Sequence, residues 1–192
     1  VAYLVLHGEL PSKAQLKKFS KEERSNRKLS KTIIKNIQQM PKNAHPMDVI
    51  RTCVSLMALE DKDTKDNSPK ANMRKALKIF SQTPTAVAAY FRARKGKKVI
   101  SPDKKLSFSE NFFKMMFGKV PDKEIVRAFD ISLILYAEHS FNVSTFTART
   151  ITSSLSDLHG AITGAIASLK GPLHGGANEA VMHMMKDIGK PE

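Results

Sequence analysis

A single cysteine, Cys53, stands among the 192 residues. An intrachain disulfide is therefore excluded, and a reducing, intracellular setting is the expectation. The surrounding "VIRTCVSLM" reads as an apolar helix, which makes Cys53 a buried, inert thiol rather than a nucleophile. No apolar run approaches the roughly 20 residues that a membrane-spanning helix needs. The opening "VAYLVLHGEL" carries neither a basic leader nor a small-residue cleavage site, so no signal peptide is read and a cytoplasmic location is expected. It also begins without methionine, inside an apolar pattern, and "MKDIGKPE" ends just after a helix. A partial sequence is the expectation at both ends. Alternating strand patterns with hairpin turns are missing. So are the P-loop, the dinucleotide fingerprint and the H-E-x-x-H zinc helix, and no metal or resident cofactor is expected.

What is present is an ordinary apolar content, 41% of residues, enough to fold around one good core or two small ones. The net charge is +14, which favours anionic partners, with a solvated basic surface as the plainer reading. The densest basic set, Arg92, Arg94, Lys95, Lys97, Lys98, Lys104 and Lys105, lies in and beside one loop. It has the chemistry to meet phosphates, or simply to face water. A helical nucleic-acid binder would carry a helix-turn-helix or RNA-binding signature, and neither is present.

Helical patterning runs the length of the chain. Gly8 and Pro11 stop a short first helix, and Ser12 suits the N-cap of the next. A third helix is read over 29–39. "HPMDVIRTCVSLMALED" has apolar residues at three- and four-residue spacings. "NMRKALKIFSQTPTAVAAYFRARKG" predicts two helices joined at "SQTPT", with Pro84 in the first turn of the second. Another ends at Gly118. "PDKEIVRAFDISLILYAEHSFN" is apolar almost all round in its middle, which predicts deep burial. The following segment is rich in Ala, Ser, Thr and Gly, which lets helices pack closely. The fold class is all-α.

Two junctions carry candidate chemistry. In "AEHSFNVST", His139, Asn142, Ser144 and Thr145 bring an imidazole, an amide and hydroxyls to one helix-to-helix turn. They suit a carboxylate or carbonyl oxygen; equally, His139 and Asn142 suit the capping of the two helices. In "GPLHGGANE", glycines permit close backbone approach to a ligand, and Asn178 can cap the last helix. His174 would then precede a helix N-terminus, whose positive dipole disfavours imidazolium. A neutral histidine there can donate to a carbonyl as enolate charge develops. A turn histidine without a role fits the spacing as well. His7, His45, His159 and His183 are assigned no chemistry.

These same stretches resemble a known family. "GPLHGGANEAVMHMM" is similar to the first catalytic-histidine motif of the citrate synthase family, and "ILYAEHSFNVSTFTAR" to its oxaloacetate-histidine segment. "SENFFKMMFGKVPDKEIVRAFDISLILYAEH" and "TPTAVAAYFRARKG" resemble the helices before it. The wording is most similar to the 2-methylcitrate synthase branch. The resemblance implies a citrate-synthase-like large helical domain, with residues 1–192 forming most of it and the small domain absent from this chain. It implies a homodimeric acyltransferase that condenses oxaloacetate with an acyl-CoA co-substrate, propionyl-CoA in that branch and acetyl-CoA in true citrate synthases, and then hydrolyses the thioester. Carried over by position, His174 would hydrogen-bond the thioester carbonyl, His139 would bind oxaloacetate, and Asn142 would sit beside it. The family's second catalytic histidine, its aspartate base and its substrate-binding arginines have no counterpart in the 192 residues, so the isolated chain is expected to be inactive. The alternative is a truncated homologue that serves as a structural, dimerising protein.

Overall fold

The computed structural model describes residues 1–138 and 140–190. They form ten helices, with no strand among the described residues. In chain order these are α1 (Ala2–His7), α2 (Lys13–Asn26), α3 (Lys31–Gln39), α4 (Pro46–Leu59), α5 (Pro69–Ala93), α6 (Phe108–Phe117), α7 (Lys123–Leu135), α8 (Val143–Ser153), α9 (Leu158–Leu169) and α10 (Gly176–Ile188).

Local chemistry sets most of the boundaries. Gly8 ends α1 at φ 79°, and Gly118 ends α6 at φ 85°, left-handed conformations that glycine adopts without a Cβ penalty. Ser12 and Gln15 form a reciprocal capping box at α2, as Ser107 and Glu110 do at α6. Ser30, Ser68 and Asp157 cap α3, α5 and α9 through their side chains. Each accepts a backbone N–H that the helix itself cannot satisfy.

The core gathers Leu29 with Ile33 and Ile37 of α3, Val49, Cys53, Val54 and Met57 of α4, and Ile79, Ala86, Ala89 and Tyr90 of α5. Leu158, Ile162 and Ile166 bring α9 onto it. Cys53 is fully buried, and loss of hydration pushes its thiol pKa up to about 12, as the inert reading requires. The Tyr90 hydroxyl lies 2.7 Å from the Pro41 carbonyl and 2.9 Å from that of Ala44, which secures the approach to α4. Arg27, almost wholly buried, makes a bidentate pair with Glu23 at 2.7 Å and donates to the carbonyls of Asp103 and Leu106.

Two expectations are corrected. The stretch around Pro84 does not divide two helices: α5 runs 25 residues straight through it. Proline leaves the preceding turn short of one amide donor. Here the neighbouring hydroxyls bond back, Ser81 Oγ to the Leu77 carbonyl and Thr83 Oγ1 to that of Ile79, both at 2.7 Å. Gln82 and Thr85 meanwhile bind the carbonyls of Lys28 and Arg27, so tertiary contacts hold the turn helical. The second correction is α7, which has no buried residue. It meets α6 through Phe129, which packs on Phe112 and Phe113, while Ile134 remains 48% exposed. An all-round apolar helix needs cover on every side, and within this chain α7 receives it on one.

The small residues of the second half behave as expected. A Cβ on Gly164 of α9 would lie 2.2 Å from Ile151 Cδ1 of α8, so the absence of a side chain lets the two helices approach. Phe146 of α8 and Met182 and Met185 of α10 are more than half exposed.

Candidate functional site

The site forms where the N-terminus of α8 meets the loop ahead of α10. Asn142 is the N-cap of α8: its Oδ1 accepts the Thr145 N–H at 3.1 Å and also the Ser144 hydroxyl. That leaves the Ser144 N–H, another amide that the first turn cannot satisfy. It donates to His174 Nε2 at 3.3 Å, and Ser144 Oγ stands 3.1 Å from the same nitrogen. A backbone N–H can only donate. In this contact Nε2 stands as the acceptor.

The glycines around His174 fold the loop onto itself. The amides of His174 and Gly176 both donate to the Gly171 carbonyl, at 3.0 and 3.1 Å. A Cβ on Gly175 would stand 2.4 Å from the Leu169 carbonyl oxygen. Close approach at these glycines is to the chain's own backbone. α10 then starts at Gly176, two residues before Asn178, so Asn178 is not its cap. Its Oδ1 accepts from the Tyr136 hydroxyl at 3.1 Å.

A third helix N-terminus borders the same cleft. His45 caps α4 by accepting the Met47 N–H on Nδ1 at 3.2 Å. Its other nitrogen, Nε2, faces the Glu179 carboxylate at 3.4 Å. This role went unread in the sequence, although a residue ahead of Pro46 at the first helical position and Asp48 in the first turn is an N-cap signature. The resulting cleft, about 580 Å³, is lined by Tyr136, Asn142, Ser144, Lys170, His174 and Asn178 among others. Helix N-termini favour electron-rich oxygen. With an imidazole and two side-chain amides on its wall, the cleft suits carbonyl and carboxylate groups.

Of the residues singled out by sequence, His174, Asn142 and Ser144 come together here. His139 lies outside the described residues. The basic set is not part of the cleft. Arg92 donates to the carbonyls of Lys98 and Met116, Arg94 lies over the Tyr90 ring, and Lys95 over that of Phe91. Those side chains brace the α5–α6 connection. His159 is fully buried, and neither ring nitrogen has a hydrogen-bond partner among the described residues.

A family model described as "Citrate synthase, C-terminal domain" matches residues 1–192. The chain is 49% identical over 192 residues to a citrate synthase of Mycolicibacterium smegmatis, covering all of this chain and 51% of that protein. It is also 49% identical over 191 residues to a 2-methylcitrate synthase of Mycobacterium tuberculosis, covering 48% of it. The chain thus spans about half the length of the curated relatives it matches. The crystal structure of citrate synthase from Pyrobaculum aerophilum superposes with a TM-score of 0.91 at 35% identity, over 99% of this chain and 49% of that one. A Thermoplasma acidophilum citrate synthase, solved as a ternary complex with carboxymethyl coenzyme A and oxaloacetate, gives 0.90 at 30% identity over 98% and 49%. A match along all 192 residues, on the same helical fold, means that the chain belongs to the citrate synthase family.

Proposed function

We propose that these residues are most of the large helical domain of an enzyme that condenses oxaloacetate with a short acyl-CoA. His174 donates a hydrogen bond to the thioester carbonyl oxygen while the neighbouring carbon gives its proton to a carboxylate base supplied by the remainder of the protein. A donor on that oxygen stabilises the charge as it develops. The enol carbon then bonds to the keto carbon of oxaloacetate, and water cleaves the thioester to release free CoA. His139 binds oxaloacetate, and Asn142 stands beside it.

The observation that carries this reading is the bond from the Ser144 N–H to His174 Nε2. It ties the His174 ring to the first turn of α8 beside Asn142, which supports a hydrogen bond from the imidazole to an oxygen held in the same cleft. The exposed apolar faces of α7, α8 and α10 support assembly as a homodimer. Because the chain spans about half the length of its relatives, the activity is proposed for the protein in which these residues are joined to the remainder. The 192 residues alone are expected to release no CoA.

Propionyl-CoA is the proposed acyl donor, which makes the product 2-methylcitrate. A second reading, acetyl-CoA and citrate, is supported by the equal 49% identity to the protein named citrate synthase. Release of free CoA from each thioester, measured side by side with oxaloacetate on the full-length protein, tests both. A higher kcat/KM for acetyl-CoA overturns the first reading, and no CoA release from either overturns the proposal.

A further inference from the structure

The loop that carries His174 runs between Lys170 and Glu179, and both ends are tied to one turn of α4. Lys170 Nζ donates to Asp48 Oδ2 at 2.7 Å. Glu179 Oε2 lies 3.4 Å from His45 Nε2. His45 and Asp48 are three residues apart, so they project from the same face of the first turn of α4. That turn is rigid. Val49, Cys53, Val54 and Met57 lock α4 into the core, and Tyr90 holds the segment before it through the carbonyls of Pro41 and Ala44. The loop and α10 are not locked in this way, since α10 has no buried residue. Side-chain contacts therefore set where the loop stands. A third, from Tyr136 to Asn178, reaches it from beyond α7.

We propose that His45 and Asp48 are positioning residues, and that the first turn of α4 is a two-point clamp that sets the place of His174 against the N-terminus of α8. The clamp rests on the reading of His174 given above. The Asp48 carboxyl is held below the usual carboxylate range, first by its hydrogen bond from Lys170, so the ion pair is made at neutral pH. Both pairs are partly exposed, with the Lys170 side chain 36% and that of Glu179 60% accessible, and such pairs add little to global stability. Their effect is geometric. Displacing a reacting group by about 1 Å costs on the order of 100-fold in rate.

The test is made on the full-length protein with Lys170→Met and His45→Asn. Asparagine keeps an acceptor for the α4 N-cap and gives up the reach to Glu179. Amide hydrogen exchange over residues 171–177 is expected to accelerate. The double variant should lose about 10- to 100-fold in kcat, with the oxaloacetate KM and the melting temperature nearly unchanged. Lys170→Arg, which preserves the ion pair, should restore both readouts. Unchanged exchange and unchanged kcat in the double variant, alongside an inactive His174→Ala, would overturn the clamp and leave the function standing. Faster exchange, with CoA release indifferent to both the double variant and His174→Ala, would uphold the clamp and remove His174 from the chemistry.

Discussion

His174 Nε2 accepts the backbone N–H of Ser144 at 3.3 Å, across 30 residues of sequence. One imidazole thereby completes the first turn of α8 while standing just ahead of α10. The contact joins the two motif segments into one site.

Separate roles for the two histidines predict separable defects. In the full-length protein, His174→Ala should lower kcat about 100- to 1,000-fold, the usual loss for one donor to a developing oxyanion. Oxaloacetate binding by calorimetry should stay nearly intact. His139→Ala should weaken oxaloacetate binding first. Calorimetry giving the opposite pattern would reverse the assignment.

Gly175→Ala should disrupt the loop through contact rather than through backbone strain, since Gly175 has φ −65°, open to any residue. The added methyl would meet the Leu169 carbonyl oxygen at 2.4 Å and Leu169 Cδ1 at 2.7 Å. Overpacking of this kind costs about 1–3 kcal/mol. Hydrogen exchange should show the change at residues 171–177 before any shift in global unfolding by urea. A silent substitution would mean that the loop relaxes freely.

Gly164→Ala should cost the α8–α9 pair little, under about 1 kcal/mol net, because its Cβ would land on Ile151 Cδ1, the movable end of a side chain, while alanine favours the helix interior. Ile151→Val removes that methyl. The double variant Gly164→Ala/Ile151→Val should therefore lose less than the sum of the two single substitutions in chemical denaturation. Additive losses would show that the two sites do not compete for the same space.

His159 gives stability a pH dependence. It is fully buried, with Asp61 at 3.7 Å and Asp157 at 3.8 Å, and with Lys78 and Lys75 also acting on the ring. Desolvation outweighs the two carboxylates and lowers its pKa from the ordinary 6.5. The unfolded chain then takes up a proton that the folded chain refuses. The contribution of the neutral ring is complete above the unfolded value of 6.5, and it is lost as pH falls below that value toward the lower folded one. Urea unfolding of the wild type and of His159→Phe should show their stability difference moving against the wild type as pH drops from about 7 to about 5. A difference that stays constant with pH would refute the protonation argument.

Short-range chemistry made much of this molecule legible in advance. The left-handed glycines at 8 and 118, the serine cap at 12 and the apolar spacing of α4 each act within a turn or two of chain. Motif wording extended that reach to the family and to His174. What depends on distant parts of the chain was not legible. Pro84 looked like a helix start, because the partners that keep α5 continuous lie at Arg27 and Lys28. The apolar middle of α7 implied cover on all sides, whereas among the described residues its main packing is against α6 and none of its residues is buried.

The sequence by itself determined that the chain is helical, where most of the helices begin and end, and which family it joins. These follow from caps, periodicity and motif wording, all local. Only the tertiary structure decided that Ser144 meets His174, that Gly175 makes room for Leu169, and that His45 and Asp48 meet the two ends of the loop. These are packing outcomes: an orphan amide, a carbonyl and a carboxylate each find the partner that the fold brings near, and no spacing along the chain specifies which one that is.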